Sequence, residues 1–346
     1  MTKQFFSTLK TALFIGLSFV IIASFTGCVE RADAQTLVPA PENPVSAEPV
    51  DPGQTGKAVV YFTGDISPAG LMAAYNALDR KPDAATIASG KVAVKVHTGE
   101  SPRSNHLRPA FIENLVQSVN GTIVESNTAY GGNRASTAMH KQLAKDHGFT
   151  TIAPVDILDE DGSISLPVQG GSRLTENFVG AHFRNYDYFL VLTHFKGHAM
   201  GGFGGAIKNI SIGIASSEGK AWIHSGGRSR TNPWGFAQDP FLESMAEAGK
   251  AVVDSLNGRI LYINVMNRLS VDCDCNGSPA EPDMHDIGIL ASLDPVALDQ
   301  ACVDLVYASS DGASLIQRME SRNGIRTIEH AAEIGLGTKA YELIRL

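Results

Sequence analysis

The sequence predicts an α/β fold: a single domain with one mainly parallel sheet and helices on both of its faces. Short apolar runs alternate with helix-length segments from residue 57 to the C-terminus, an order typical of parallel sheets. The runs are continuously apolar, as expected for strands buried on both faces. No internal repeat or further domain break interrupts this part of the chain.

The predicted elements follow one another in a regular order. Strands are predicted at residues 58–62, 91–97, 121–126, 186–194, 259–267 and 286–292. Helices are predicted at residues 68–79, 108–120, 134–148, 239–258, 294–309 and 325–335. Asp294 and Pro295 suit the start of a helix, because Asp can cap free N–H groups and Pro fits the first turn.

Some positions inside these elements allow a prediction of burial. Cys302 lies on an apolar helix face and is predicted to be a core residue. His140, His147 and His330 fall in helical patterns and are expected at the surface. Residues 162–171 are predicted to form a small hairpin insertion.

The N-terminal part of the chain predicts export and tethering. Lys3 and Lys10 precede the apolar run "ALFIGLSFVIIASF", and the pair Thr-Gly then stands before Cys28. This pattern resembles a lipobox, so residues 1–27 are predicted to be a lipoprotein signal peptide and Cys28 its lipidation site. An ordinary secretory signal and a short membrane anchor are the alternatives. Every version places the protein in the cell envelope, membrane-anchored on the periplasmic or extracytoplasmic side if Cys28 is lipidated.

The segment that follows, residues 28–56, is rich in Pro, Ala and Glu and has no apolar period. It is predicted to be a disordered tether, which leaves residues 57–346 as the folded domain. The formal net charge is −8 and no basic stripe is visible, so the sequence predicts no nucleic-acid partner.

The stretch "THFKGHAMGGFGGAIKN", directly after a predicted strand, has the densest functional pattern. Ligands of such sheets bind at the carboxyl ends of the strands. Glycines let a backbone approach a ligand, and a helix that starts after them offers free N–H groups to an anion. The alternative is a tight packing loop with surface lysines. The candidates here are His194 for catalysis with Lys208, the ligand-binding residues Lys196, Gly204, Gly205 and Asn209, and His198 as a metal ligand.

Other strand ends add polar residues. His97 is a candidate for proton transfer, while the alternative for its neighbours is ordinary turn chemistry. The ligand-binding candidates are Glu100, Thr128, Tyr130, Arg134 and Lys220, with Glu125 in the same polar lining. Lys220 and the candidate metal ligand His224 are predicted to lie in a loop.

Cys273 and Cys275 form a Cys-x-Cys pair in "VDCDCNG". As thiolates they would bind a transition metal or an iron–sulfur cluster, with a histidine completing the set. The alternatives are a redox-active disulfide or a purely structural pair.

Segments that include "VKVHTGE", "SNTAYGGNRAS", "LTHFKGHAMGGFGGAIKNISIGIAS", "GKAWIHS" and "VDCDCNG" occur in this order. Together they resemble the bacterial domain-of-unknown-function family numbered 362, often labelled iron–sulfur centre proteins, over residues 58–346. Many members carry a ferredoxin-type insertion after the "GK…HS" segment. This chain has no cysteine there, so the resemblance implies no ferredoxin-type cluster. The resemblance implies that the strand-end histidines, lysines and cysteines form a site. It does not imply a particular reaction.

Three functions remain open from the sequence. The first is a metal-binding or redox protein centred on the cysteine pair, working with a redox partner. The second is a metal-independent enzyme or binding protein for a small anionic ligand. The third is a solute- or partner-binding lipoprotein without catalysis. A shared centre requires folding to bring the imidazoles near residue 196 and the sulfurs near residue 274 around one cavity.

Overall fold

The computed structural model describes residues 56–346. The predicted signal peptide, Cys28 and nearly all of the predicted tether lie outside these residues. The strands of the described part are β1 (Ala58–Thr63), β2 (Val92–Lys95), β3 (Gly121–Glu125), β4 (Val155–Ile157), β5 (Ser163–Pro167), β6 (Glu176–Gly180), β7 (Tyr188–His194), β8 (Lys196–His198), β9 (Gly202–Gly204), β10 (Ile260–Met266), β11 (Gly288–Ser292) and β12 (Tyr341–Arg345).

The helices lie between these strands. They are α1 (Pro68–Ala77), α2 (Ala84–Ala88), α3 (Pro109–Ser118), α4 (Thr137–Asp146), α5 (Ala206–Ser211), α6 (Ser217–His224), α7 (Gln238–Leu256), α8 (Pro295–Tyr307), α9 (Ala313–Ser321) and α10 (Ile325–Glu333). Asp294 caps α8 by accepting from the N–H groups of Val296 and Ala297, and Cys302 is fully buried. Both predictions from the sequence are confirmed. No described helix is long and apolar enough to cross a membrane.

Eight strands form one sheet in the order β12-β1-β11-β10-β7-β2-β3-β4. The pairs along β10-β7-β2-β3-β4 are parallel, and β12 is parallel to β1. Only β11 runs antiparallel to its neighbours in this sheet. The predicted fold class, a mainly parallel α/β sheet, is therefore confirmed.

Helices cover both faces of the sheet. Alternate residues of β10 enter two separate apolar clusters: Tyr262 joins one and Ile263 the other. The first cluster contains side chains of α5 to α10, and the second contains side chains of α1, α3 and α4. Every residue of β7 and β10 is buried, which explains why their sequences are continuously apolar.

Parallel pairing brings the carboxyl ends of β3, β2, β7 and β10 to the same edge of the sheet. In the register of these strands Lys95 lies beside Val191, and Thr193 lies beside Asn264. The residues that end or follow these strands therefore meet above one edge, as Lys95, Glu125 and His194 do.

Three local predictions were wrong, and a fourth was right only in part. His140 is completely buried, because it lies on the buried face of α4 with Leu143 and Ala144, and its Nε2 is 3.3 Å from Thr98 Oγ1. His330 is buried against Glu247, with Nε2 and Oε1 2.9 Å apart. The "KAWIHS" segment, predicted as a loop, is largely helix α6. The hairpin predicted at residues 162–171 is confirmed only for its first strand, β5, because the partner strand β6 lies wholly beyond that range.

Candidate functional site

The carboxyl edge of the sheet carries a cleft that encloses about 680 Å³ of empty space, part of it open to solvent. The cleft is lined by charged, imidazole and small residues contributed by four strand ends, the glycine loop and α6. Its polar lining consists of Lys95, His97, Glu125, Thr128, Tyr130, Arg134, Thr193, His194, Lys196, His198, Lys208, Asn209, Lys220, His224 and Cys275. Gly204, Gly205 and Gly213 complete the close walls.

The glycine loop forms one wall and is held from below. The short strands β8 and β9 form a hairpin, and α5 starts directly after Gly205. Asp299 accepts from the N–H groups of Ala206 and Ile207, at 2.7 and 3.0 Å. A Cβ on Gly205 would collide with this carboxylate. The sequence predicted that the helix start would attract an anion, but a protein carboxylate already occupies it.

Asp299 is wholly buried. Burial raises its pKa to about 6, against the opposing effect of the N–H groups and of Asn264, which donate to it. The loop, α5 and α8 are thereby joined, and the position of Lys208 on α5 is fixed by a residue 93 positions from Ala206.

Three of the cleft cations have carboxylate partners. Lys95 Nζ lies 3.0 Å from Glu125 Oε2 with both side chains buried. Arg134 Nε donates to Glu100 Oε2 at 2.9 Å. These pairs are of the kind that tolerate burial, because opposite charge replaces water.

Lys196 completes this group. Its Nζ lies 2.9 Å from Asp274 Oδ2 and donates to the His194 carbonyl at 2.7 Å. The His194 ring is also engaged at both nitrogens. Nδ1 lies 2.8 Å from Asp274 Oδ1, and Nε2 lies 2.6 Å from the Asn267 carbonyl. His194 therefore serves here to hold Asp274, and neither of its ring nitrogens is open to the cleft.

The carboxylates respond to this positive field. Burial alone would raise the pKa of Glu125, but Lys95, His140 and Arg134 lower it to about 2. Burial likewise opposes ionisation of Asp274, yet His194 and Lys196 hold its pKa well below the usual range. Both groups are therefore ionised at neutral pH.

Two lysines have no carboxylate partner. Lys220 Nζ donates to the carbonyls of Ala215 and Ser126, at 2.6 and 3.4 Å. Lys208 Nζ has no hydrogen-bond acceptor or carboxylate partner among residues 56–346. Burial, reinforced by the charge of Lys196 and Arg134, lowers the pKa of Lys208 to about 7. Burial lowers the pKa of Lys220 to about 8.

The other three imidazoles are set by backbone groups. His97 Nδ1 accepts from the Gly99 N–H at 2.9 Å, and His198 Nδ1 accepts from Gly201 at 2.8 Å. In the neutral ring each Nε2 then carries the proton. His224 carries its ring proton on the other nitrogen. Its Nδ1 donates to the Lys220 carbonyl at 2.6 Å, so its Nε2 has a lone pair.

Burial, aided by nearby cations, lowers the pKa of His97 and of His198 well below the usual value. Burial lowers the pKa of His224 to about 4. At neutral pH the cleft therefore contains two neutral N–H donors and one neutral acceptor, which is a set suited to proton transfer.

Cys273 and Cys275 are joined in a disulfide. Cys275 lines the cleft, while His198 offers a ligand atom that lies with both sulfurs within 4.8 Å of one another. The imidazoles near residue 196 and the sulfurs near residue 274 do meet around one cavity. As thiolates the cysteines would complete a three-donor set with His198.

Residues 92–304 match the family described as "Domain of unknown function (DUF362)". This match covers more than half of the chain. The chain belongs to the DUF362 family. No curated protein is detectably similar to it.

Solved structures show weak similarity to the DUF362 chain. One is the lactate racemase apoprotein from Thermoanaerobacterium thermosaccharolyticum, with 13% identity and a TM-score of 0.42, covering 71% of this chain and 56% of that one. Another is a protein from Thermotoga maritima, with 12% identity and a TM-score of 0.38, covering 77% and 58%. The DUF362 chain spans just over half the length of each.

Most residues singled out in the DUF362 sequence reach the cleft. Glu100 and Cys273 do not line it, but bind Arg134 and Cys275, which do. Sequence reasoning missed Lys95 and Asp274. Lys95 had one signal, a lysine inside an otherwise apolar strand. Asp274 was missed because the Cys-x-Cys motif around it was interpreted only through its two cysteines.

Proposed function

We propose that this chain binds a small ligand carrying a carboxylate or phosphate in the cleft, and that its lysines and histidines act on that ligand. The observation that carries the proposal is the charge of the cleft. Five cationic side chains line it, whereas in the described part of the chain three carboxylates, those of Glu100, Glu125 and Asp274, pair with them.

Uncompensated buried charge is costly, and a bound anion would offset that cost. Arg134 Nη2 supports this, because it is buried without a hydrogen-bond partner among the described residues. Lys208 Nζ is likewise free. Charge-assisted hydrogen bonds from such groups to a carboxylate or phosphate are strong and short. A Cβ on Gly204 would lie 3.4 Å from Lys208 Cδ and 3.7 Å from Lys196 Cε, so this glycine leaves space beside both lysines.

The test is anion-induced stabilisation of the purified protein. Inorganic phosphate, sulfate and malonate would be titrated at constant ionic strength, with chloride as the reference, and thermal unfolding followed. We expect saturable stabilisation that Lys208→Met and Arg134→Met weaken. Lys339→Met, which removes an exposed lysine, is the matched control. Equal response of all four proteins to every anion would contradict the proposal.

A second candidate is a redox or soft-metal centre at Cys273, Cys275 and His198, beside the same cleft. It is supported by the proximity of the three donor atoms. Two thiolates and an imidazole suit zinc or copper. His198 Nδ1 accepts two backbone N–H groups, so its Nε2 would have to lose its proton to bind a metal.

This candidate is tested by metal analysis. The protein would be reduced, loaded with zinc and washed, and then compared with a Cys273→Ser/Cys275→Ser variant. Stoichiometric zinc in the reduced wild type alone supports a metal centre. A disulfide that a mild thiol reduces reversibly, without zinc retention, supports a redox pair. Zinc bound equally by both proteins argues against this site.

We also propose that the protein is an exported lipoprotein, held at the extracytoplasmic side of a membrane by a lipid on Cys28. The supporting observation is the signal-like N-terminus with its Thr-Gly-Cys sequence. A disulfide suits an oxidising compartment. Membrane fractionation of wild type and Cys28→Ala, with a labelled fatty acid, tests this. Label on both proteins, or on neither, would count against lipidation at Cys28.

A further inference from the structure

Lys208 differs from the other four cations of the cleft. Lys95, Lys196 and Arg134 are paired with carboxylates, and Lys220 donates to two carbonyls. Lys208 Nζ has no partner in residues 56–346, although its side chain is only partly exposed and lines the cleft. It is the amine of this group that is free to react.

The surroundings of Lys208 favour the uncharged amine. Burial is the main cause of its lowered pKa, and Lys196, Arg134, Lys95 and Lys220 add repulsion. A lysine beside another cation in a desolvated site is a recognised way to obtain a nucleophilic amine at neutral pH. Near pH 7 about half of such an amine is free of its proton.

Three imidazoles, those of His97, His198 and His224, line the same cleft as this amine. Two of them present an Nε2–H donor, and His224 presents a lone pair. A carbonyl group beside Lys208 would therefore meet both a nucleophile and groups able to give and take protons.

Resting on the anion site proposed above, we propose that Lys208 forms an imine with the carbonyl carbon of a small 2-oxo carboxylate. Its carboxylate would be held by the positive groups around it, above all by Arg134 Nη2, which has no hydrogen-bond partner within residues 56–346. The substrate class is thereby narrowed from small anions in general to anionic carbonyl compounds.

The step balances without an external oxidant or reductant. The lone pair of Nζ attacks the carbonyl carbon, so that a C–N bond forms and the C=O π bond breaks. The His224 Nε2 lone pair takes one proton from the nitrogen and gives it to the oxygen, which becomes a hydroxyl group. The second nitrogen proton passes to this hydroxyl by the same route, and the C–O bond breaks to release water. The product is a C=N bond that water can hydrolyse back to the amine and the ketone.

Reductive trapping on the full-length protein tests the inference. The protein would be incubated at pH 7 with pyruvate and cyanoborohydride, digested, and the modified lysines identified by mass spectrometry. Since the free fraction of an ordinary exposed lysine is far smaller at this pH, we expect Lys208 to be labelled at least about tenfold more than Lys339. Malonate should suppress the labelling by competing for the cleft.

The controls separate the two proposals. Lys208→Arg keeps the positive charge but has no amine that can form an imine, so it should lose the dominant adduct. If label in the wild type falls only on exposed lysines while malonate still stabilises the protein, the imine proposal is overturned and anion binding stands. If malonate and the other anions also fail to stabilise the wild type, both proposals fall.

Discussion

Two buried polar regions of this protein show opposite ways of treating charge. One is the strand-end cleft. The other, here named the α7–α10 cluster, consists of Arg173, Glu243, Glu247, Arg326 and His330. Both contain side chains that would not be buried without electrostatic reasons. They differ in whether every charge finds a partner inside the protein.

In the α7–α10 cluster the carboxylates are saturated. Glu247 accepts from the N–H groups of Ser172, Arg173 and Leu174, and also bonds to His330. Glu243 pairs with Arg173 and Arg326. None of the five side chains in this cluster has a buried polar atom without a partner. Such a network joins the 171–174 loop, α7 and α10, and its role is to stabilise the fold.

The cleft is organised differently. Its carboxylate pairs are satisfied, but among residues 56–346 Arg134 Nη2 and Lys208 Nζ, both on cleft-lining residues, have no hydrogen-bond partner. Charged groups without partners do not stabilise the fold, but they can bind an anionic ligand. Both regions contain similar residue types. What distinguishes a candidate binding site is that some of its charged groups have no partner of opposite charge.

The largest expected effect comes from breaking the saturated region. Glu247→Gln removes the charge that five donors surround, so we expect the free energy of unfolding to fall by about 3 kcal/mol. Urea denaturation measures this. Malonate affinity should be unchanged, and Glu342→Gln on the exposed edge strand should change neither quantity. A loss of malonate binding in the folded Glu247→Gln protein would remove the contrast between the regions.

The second-largest effect is expected from removing an unpaired charge in the cleft. Lys208→Met should raise the dissociation constant for malonate about 30-fold, or roughly 2 kcal/mol, because a charged hydrogen bond is lost. Unlike Glu247→Gln, it should leave the free energy of unfolding equal or higher, because it removes an unpaired positive charge. Calorimetric titration and urea denaturation give the two numbers. Destabilisation as large as that of Glu247→Gln would make Lys208 a structural residue.

The pH dependence sharpens the same contrast. The folded pKa of Lys208, about 7, is lower than the unfolded value of about 10.4. The unfolded chain therefore holds more protons between these pH values, and stability rises with pH across this window. We expect a gain of roughly 1–2 kcal/mol, reduced by the opening of the cleft to solvent.

Malonate affinity should move the other way, falling above pH 7 as the amine loses its proton. Lys220, with a pKa of about 8, adds to both trends. The difference in unfolding free energy between wild type and Lys208→Met, measured from pH 6 to about pH 10, isolates the contribution of Lys208. A difference that does not change with pH would contradict the lowered pKa.

The smallest effect concerns the disulfide at the edge of the cleft. Cys273 and Cys275 are two positions apart, so the closed loop is minimal and its entropic stabilisation is small. Cys273→Ser/Cys275→Ser should change the free energy of unfolding by less than about 1 kcal/mol in urea denaturation. Cys302→Ser places a hydroxyl in the core and should cost more, about 1–3 kcal/mol. A larger loss of stability in Cys273→Ser/Cys275→Ser than in Cys302→Ser would show that the disulfide stabilises the fold.

Much of this molecule could be predicted from its sequence. The apolar runs predicted six strands of the main sheet, which are β1, β2, β3, β7, β10 and β11. The Asp-Pro pair predicted the start of α8. The rule that strand ends carry ligands predicted the place of the cleft. Short elements such as α2, β4 and β8 were missed, because three to five residues contain too little periodic pattern.

The sequence by itself determined the order of the elements, their buried faces and the edge of the sheet where functional side chains gather. These depend on residues that are near neighbours along the chain. Only the tertiary structure decided which charges are paired. Asp274 meets His194 across 80 positions, and Asp299 reaches the start of α5 across 93. No local pattern encodes such meetings, because the electrostatic environment of a side chain is created by distant residues that folding brings within a few ångströms.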